Sequence, residues 1–298
     1  MILVAGATGL LGSEIARRLR SGGHAVRALV RPGAAGVPAL AAAGVETTEG
    51  DLKDEASLAR ACAGVRAVVS TVTATTSRRP GDTLKTVDRD GQTRLVAVAR
   101  RVGVERFVYV SLSANIPAST LVNYKRRVED AVRSSGMAWV ILQPPAFMDI
   151  WLSPRLGWDI ANARAMIVGD GTRPTSFVAL SDVARFAVLA AADPRLANRN
   201  LPLGGPEALS PQQVLTICEE VTGRRFRVRR VPLAVVKVAA ALLRPIAPVP
   251  AALAALAVAS AEVGDPIDMA PLIREFPGPL VSVRDYVGAI ARVAGTAA

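Results

Sequence analysis

Histidine, cysteine and aromatic residues are all scarce in this chain of 298 residues, and each scarcity closes off a class of function. The one histidine, His24, and two distant cysteines, Cys62 and Cys218, give no ligand set for zinc, so no metal site is expected. His24 reads as a turn or strand-entry residue. A Ser-His-Asp hydrolase would have to use it, and no Gly-x-Ser-x-Gly element is present. Two isolated cysteines make no disulfide framework, which points to a reducing compartment and to a cytoplasmic protein. Phe, Trp and Tyr together are 4% of the residues, so the formal charge of +11 lacks aromatic platforms for stacking on bases. The basic residues come as scattered doublets, Arg17-Arg18, Arg78-Arg79, Arg126-Arg127 and Arg229-Arg230, rather than as a continuous run. Solvated Arg-rich faces, and no nucleic acid partner, are what that pattern implies. Long uncharged runs are missing too. The stretch 245–261 falls short of the ~20 residues of a membrane-spanning helix, and Pro245, Pro248 and Pro250 interrupt it. No signal-peptide pattern is visible, because a glycine turn falls where the apolar region should continue.

What the sequence does have is apolar material for a sizeable core: 51% apolar residues against 20% charged. The apolar residues alternate between two periodicities. Residues 1–5, 25–30, 45–49, 67–72, 106–111 and 138–142 read as strands, mostly near-continuous Val, Ile and Leu runs. Residues 13–21, 55–62, 91–102 and 124–134 read as the helices between them. Strands that alternate with helices and are apolar on both faces imply a parallel sheet covered on both sides. The expected fold is α/β, a Rossmann-type doubly wound parallel sheet over residues 1–150. A smaller, mostly helical lobe over 151–298 follows, with some segments returning to the sheet. In that lobe 182–192 reads as a helix capped by Asp182, and Ser210-Pro211 opens another. The stretch 231–263 is almost all Ala, Val, Leu and Pro, and suggests two short helices forming an apolar lid over a pocket, with peripheral membrane contact as the lesser alternative.

The chemistry sits at the first turn. Gly6-x-x-Gly9-x-x-Gly12 lies between the first strand and the first helix, with Thr8, Leu10 and Leu11 between the glycines. Gly6 permits a sharp turn, Gly9 permits close approach of a pyrophosphate, and Gly12 lets helix and strand pack closely. The helix then offers free N–H groups and a partial positive charge to the phosphates. An acidic residue about 20 positions further on would hold a free ribose 2′-hydroxyl. Arg31 stands there instead, and no Asp or Glu lies between Glu14 and Glu46. A guanidinium suits a 2′-phosphate, so NADP is expected ahead of NAD.

These residues resemble the glycine signature of atypical and extended short-chain dehydrogenases/reductases, in particular the NmrA-like NAD(P)H-binding group, and the likeness runs to about Pro232. Gly50-Asp51-Leu52 is similar to the family's Asp–Leu pair beside adenine, and Val69-Ser70-Thr71-Val72 to the strand lining the adenine side. Phe107 to Ser113 is similar to the strand ending at the nicotinamide, which places Ser111 near it. Pro144, Pro145 and Phe147 fall in the segment whose backbone lies against the nicotinamide, and Leu180-Ser181-Asp182-Val183-Ala184 resembles a structural segment of the same enzymes. The family's catalytic set is Ser or Thr with Tyr-x-x-x-Lys. Lys125 matches the lysine, which also contacts the ribose, and Ser113 the serine; the tyrosine position holds Leu121. Tyr124 is adjacent to Lys125 but about 100° away around a helix. The resemblance implies an NADPH-dependent reductase of a hydrophobic quinone-like, enone or carbonyl substrate, acting as monomer or homodimer. The alternatives are a non-catalytic NAD(P)H sensor or a scaffold or assembly factor at a membrane complex.

Overall fold

The first strand, β1 (Ile2–Ala5), is a fully buried Ile-Leu-Val-Ala run, as a strand covered on both faces must be. The structure is a computed structural model and describes residues 1–77 and 79–295; Arg78 of the second Arg doublet lies outside the described residues. After β1 come α1 (Leu10–Ser21), β2 (Val26–Val30), α2 (Val37–Ala42), β3 (Glu46–Glu49), α3 (Glu55–Cys62) and β4 (Ala67–Ser70). A π-helical segment (Leu84–Gly91) runs directly into α4 (Gln92–Arg101). β5 (Arg106–Val110), α5 (Thr120–Arg133), β6 (Ala138–Gln143) and α6 (Met148–Trp151) follow. The remainder is β7 (Arg164–Val168), α7 (Leu180–Ala192), β8 (Arg199–Pro202), α8 (Pro211–Thr222), β9 (Arg227–Val231), α9 (Leu233–Leu243), α10 (Pro248–Glu262), α11 (Ala270–Glu275) and α12 (Val283–Gly295).

The seven-stranded sheet has the order β3-β2-β1-β4-β5-β6-β8, and every pairing from β3 to β6 is parallel. The order reverses between β1 and β4, so the ends of β1 and β4 lie side by side at the switch point, with Ala5 opposite Ser70. This is the doubly wound α/β class that the strand–helix alternation implies. Packing divides the chain into two units. One comprises Met1–Leu112, Ala118–Gln143 and Val183–Leu201, and the other comprises Ser113–Pro117, Pro144–Asp182 and the chain from Pro202 onward. The first unit's core joins sheet residues Leu3, Val68, Phe107 and Ile141 to Leu58, Leu95 and Val128 of the helices. Each fully buried side chain of this size stabilises by about 1.5–3 kcal/mol. The second unit has its own core around Met148, Trp158, Ile167, Phe177 and Val214.

Local signals set several helix ends. Ser210 caps α8 in a capping box with Gln213, and Pro211 takes the first position, as the sequence suggests. Asp182 is a correction: α7 begins two residues earlier, so Asp182 lies in its first turn and accepts from the Val281 N–H at 2.9 Å. The Leu180 N–H at the start of α7 is instead met by Asp149, 31 residues away. α5 starts at Thr120 rather than near Tyr124, because Ser119 caps it by accepting from the Val122 N–H.

Candidate functional site

The turn after β1 is shaped by contacts that admit no side chain. Gly6 has φ +86°, and a Cβ on it would stand 2.5 Å from Thr71 Oγ1. A Cβ on Gly12 would meet the Gly6 carbonyl oxygen at 2.2 Å. Gly9 differs: the Gly6 oxygen, at 3.3 Å, is the one atom within 4 Å of its Cβ position, so its outer side is open. The Gly9 N–H donates to the Gly6 carbonyl at 2.9 Å and closes the turn. Gly9 is then the N-cap of α1, with no side-chain cap and no acidic residue in the first turn. The helix N-terminus keeps its positive end for an anion. Thr8 and Leu10 beside it are exposed, and Leu11 is partly so. Thr71 spans the turn from β4, with its N–H and hydroxyl both donating to the Ala5 carbonyl. These residues fit a dinucleotide's diphosphate: a bare backbone, a helix dipole and an open side at Gly9.

Arg31, one residue beyond β2, forms an ion pair with Asp82 and reaches Ser77 at 3.5 Å. Lys53 binds the same carboxylate at 2.6 Å. Burial alone would raise the Asp82 carboxyl, but hydrogen bonds from Lys53, Ser77 and Arg31 hold it below the usual carboxylate value. Lys53 also lies 3.8 Å from Asp51, so two cations face two carboxylates, and the half-exposed Arg31 guanidinium is the group at the strand end that fits a phosphate. Neither Lys53 nor Asp82 was legible from spacing, since they lie 22 and 51 positions beyond Arg31.

Asp51 shapes the next turn, its carboxylate accepting from the Lys53 N–H at 2.8 Å. Leu52 is part of the first unit's core. The Val72 carbonyl accepts from Gln92 at 2.7 Å, and Gln92 also receives the Ser70 hydroxyl at 2.8 Å, which fixes the end of β4.

Lys125 is buried. Its ammonium lies 3.4 Å from the Val110 carbonyl, 3.5 Å from the Tyr109 hydroxyl and 3.9 Å from Asp88 Oδ1. Burial pushes the Lys125 amine below the ordinary lysine value, although Asp88 and Glu129 pull the other way. Asp88 comes from the π-helical segment and is raised by burial against the pull of Lys125. Its Oδ2 accepts from the Ala74 N–H at 2.9 Å, while its Oδ1 has no hydrogen bond among the described residues. Tyr109 carries a phenol within reach of the lysine, yet it is fully buried and its pKa is driven well up by burial, so it stays a neutral group. Leu121, at the family's tyrosine position, is buried and apolar.

The other sequence candidates each have partners of their own. The Tyr124 ring lies under the Arg89 guanidinium, 5.2 Å from its centroid. Ser111 donates to Glu129, which also binds Arg126, Arg133 and Gln143. Burial would raise Glu129, but these partners hold it below the ordinary carboxylate range. In the second unit, the Ser113 hydroxyl donates to Asp265 at 2.8 Å and Asn115 donates to the same oxygen at 2.9 Å. The Ser113 N–H donates to the Pro144 carbonyl at 2.9 Å, Pro144 and Pro145 are buried, and Phe147 pairs with Val178. Asp88 and Asp265 were missed from sequence because each acts on a partner distant along the chain. Burial raises the Cys62 thiol to about 11 and the Cys218 thiol to about 12, so neither is a nucleophile at neutral pH. Among the described residues, no group of three or more His, Cys, Asp or Glu is placed to hold a metal.

Comparison with known proteins adds to this geometry. A family model described as the NmrA-like family matches residues 1–270. The chain is 32% identical over 251 residues to the isoflavone reductase homolog IRL of Zea mays, covering 78% of this chain and 77% of that one. It is 29% identical over 240 residues to the photosystem II assembly factor Ycf39 of Synechocystis sp., covering 79% and 72%. It spans 61% of the length of another relative, a chloroplast protein of Arabidopsis thaliana, at 29% identity. Among solved structures it resembles an NADPH-dependent quinone oxidoreductase of Escherichia coli complexed with NADPH. That match has a TM-score of 0.79 and 21% identity, and covers 97% of this chain and 99% of that one. At that identity the likeness speaks to the fold.

Proposed function

The chain belongs to the NmrA-like family, and from that premise we propose that it is an NADP(H)-dependent oxidoreductase reducing a hydrophobic, conjugated acceptor such as a quinone or enone. The observation that carries the proposal is the turn at Gly6–Gly12, where bare backbone and an uncapped helix meet an open side at Gly9. The names of the maize relative and of the Escherichia coli structure support the reaction class.

The bound cofactor supplies the hydride. The residues of the chain bind and orient. The amides of Leu10 to Gly12 hold the diphosphate, with Thr8 and the open side of Gly9 beside them. Arg31 and Lys53 take the 2′-phosphate, and Asp82 holds both cations in place. Asp51, Leu52, Thr71 and Val72 frame the adenosine side. Lys125 contacts the ribose. Its lowered pKa makes the ammonium a stronger acid than an ordinary lysine, so it is also the group assigned to compensate charge on the acceptor. The Ser113 hydrogen is committed to Asp265, and Tyr124 is stacked on Arg89. With Leu121 in place of a phenol, the acceptor must tolerate its own negative charge, which conjugated oxygens do by delocalisation. A cytoplasmic setting suits the two buried thiols.

A second reading, a nucleotide-bound assembly or regulatory protein, is favoured by Leu121 and by the likeness to an assembly factor. One experiment separates the two. Purified protein is mixed with NADPH and a panel of quinones and cyclic enones, and nicotinamide absorbance is followed. Turnover on at least one acceptor is the expected result. Saturable NADPH binding with no oxidation on any acceptor would favour the second reading.

A further inference from the structure

Helix α9 has the sequence LAVVKVAAALL, and none of its residues is buried. Val235, Val238 and Leu242 are 55%, 57% and 67% exposed, and Ile246 in the turn beyond is 82% exposed. At about 100° per residue, positions 235, 238 and 242 fall within about 60° of one another and form a single stripe. α10 packs alongside, with Leu253, Leu256 and Val258 half-buried and no charge before Glu262. A run of large apolar side chains left open on one face marks a docking surface.

Charge identifies the occupant. No Asp or Glu lies between Glu220 and Glu262, while that span holds Arg227, Arg229 and Arg230 on β9, Lys237 on α9 and Arg244 in the following turn. Arg227, Arg229, Arg230 and Arg244 are exposed. Lys237 pairs with Glu262 at 2.5 Å, but Arg227, Arg229 and Arg244 enter no ion pair among the described residues. An apolar stripe preceded and followed along the chain by exposed cations supplies the two components that an anionic bilayer surface, headgroups over acyl chains, takes up. A second copy of the chain fits poorly, because a two-fold contact would set the same cationic patch against itself. The helices of 11 and 15 residues would be about 16 and 22 Å long, against a hydrocarbon core of about 30 Å. No helix among the described residues is long and apolar enough to cross a membrane.

We propose that the α9–α10 hairpin docks on an anionic phospholipid surface, with Val235, Val238, Leu242 and Ile246 entering the acyl boundary and the β9 arginines on the headgroups. The hairpin lies in the interface and does not span it. This does not depend on the cofactor or the reaction.

The test is flotation of the full chain with phosphatidylcholine vesicles containing about one third phosphatidylglycerol, compared with phosphatidylcholine alone. The protein is expected to float with the anionic vesicles, with at least about tenfold weaker partition onto neutral ones and partial release at about 0.5 M salt. The double variant Val238→Gln/Leu242→Gln alters exposed side chains only and should lose about tenfold or more of the binding. Arg227→Gln/Arg229→Gln should lose about as much, each cation near the surface being worth roughly fivefold. Folding of both variants is checked by thermal melting. Failure of the folded protein to float with anionic vesicles, equal binding to neutral ones, or unchanged binding of the Val238→Gln/Leu242→Gln variant would overturn the proposal. So would a concentration-dependent dimer that this variant disperses, which would assign the face to a second copy.

Discussion

Replacing Gly9 and Gly12 by alanine, one at a time, should separate stability from cofactor binding. At Gly12 the added methyl would sit 2.2 Å from the Gly6 oxygen and 2.6 Å from its carbonyl carbon. A carbon–oxygen contact needs about 3.3 Å, so the turn or the helix must shift by about 1 Å. Overpacking of that kind costs about 1–3 kcal/mol and should lower Tm by several degrees. At Gly9 the nearest neighbour is 3.3 Å away, and the backbone, with φ −86° and ψ 168°, is open to any residue. Gly9→Ala should therefore leave Tm unchanged, or raise it by a degree or two through the lower entropy of the unfolded chain. Its methyl nevertheless occupies the open side where the diphosphate is placed. NADPH affinity should fall at least about tenfold, or about 1.4 kcal/mol. Calorimetric titration beside a thermal melt reads both quantities. A Gly9→Ala protein of wild-type stability that binds NADPH as tightly as wild type would refute the placement of the phosphates.

Three further outcomes follow from the same geometry. Arg31→Asp should weaken NADPH binding about 10- to 100-fold, the worth of a charge-assisted pair, and NADH binding less than about threefold; titration with both nucleotides checks this, and equal losses would show the 2′-phosphate to be elsewhere. Lys125→Met should lower kcat/KM on a quinone acceptor about 100-fold or more, whereas Tyr124→Phe, which keeps the ring under Arg89, should leave it within about twofold; steady-state kinetics on both variants decides. Glu129 has a depressed pKa in the folded protein, so its contribution is complete above the ordinary carboxylate value near 4.5 and disappears as pH falls through the folded value. Glu129→Gln should cost about 2 kcal/mol at pH 7 and flatten the loss of stability below about pH 4.5, read from denaturant midpoints across that range.

Much of the first unit could be read directly because its signals are local. An apolar strand, three glycines at a spacing of three and a helical period sit within the first 21 residues, and the structure places β1, the turn and α1 there. Ser210, Pro211 and Gln213 likewise announce α8 by their spacing. What stayed hidden depends on partners far along the chain. Asp182 looks like an N-cap, but Asp149 satisfies the start of α7. Ser111 stands at the expected strand end, yet its hydroxyl is drawn to Glu129, 18 residues on. Asp88 sits in a π-helical stretch whose wider turns no 3.6-residue pattern reveals, and only the fold brings it to Lys125. Leu121 was legible at once as the residue standing where the family has its tyrosine, and it is buried. The stretch 231–263 does form two helices, but its outward-facing valines and leucine could not be told from core by composition.

The central claim is that the Gly6–Gly12 turn holds the diphosphate of NADP(H). Isothermal titration of the folded protein with NADPH and with NADH tests it most directly. Saturable one-to-one binding of NADPH below about 100 µM, at least about tenfold tighter than NADH, is the predicted result. Well-folded protein that binds neither nucleotide at millimolar concentration would contradict it.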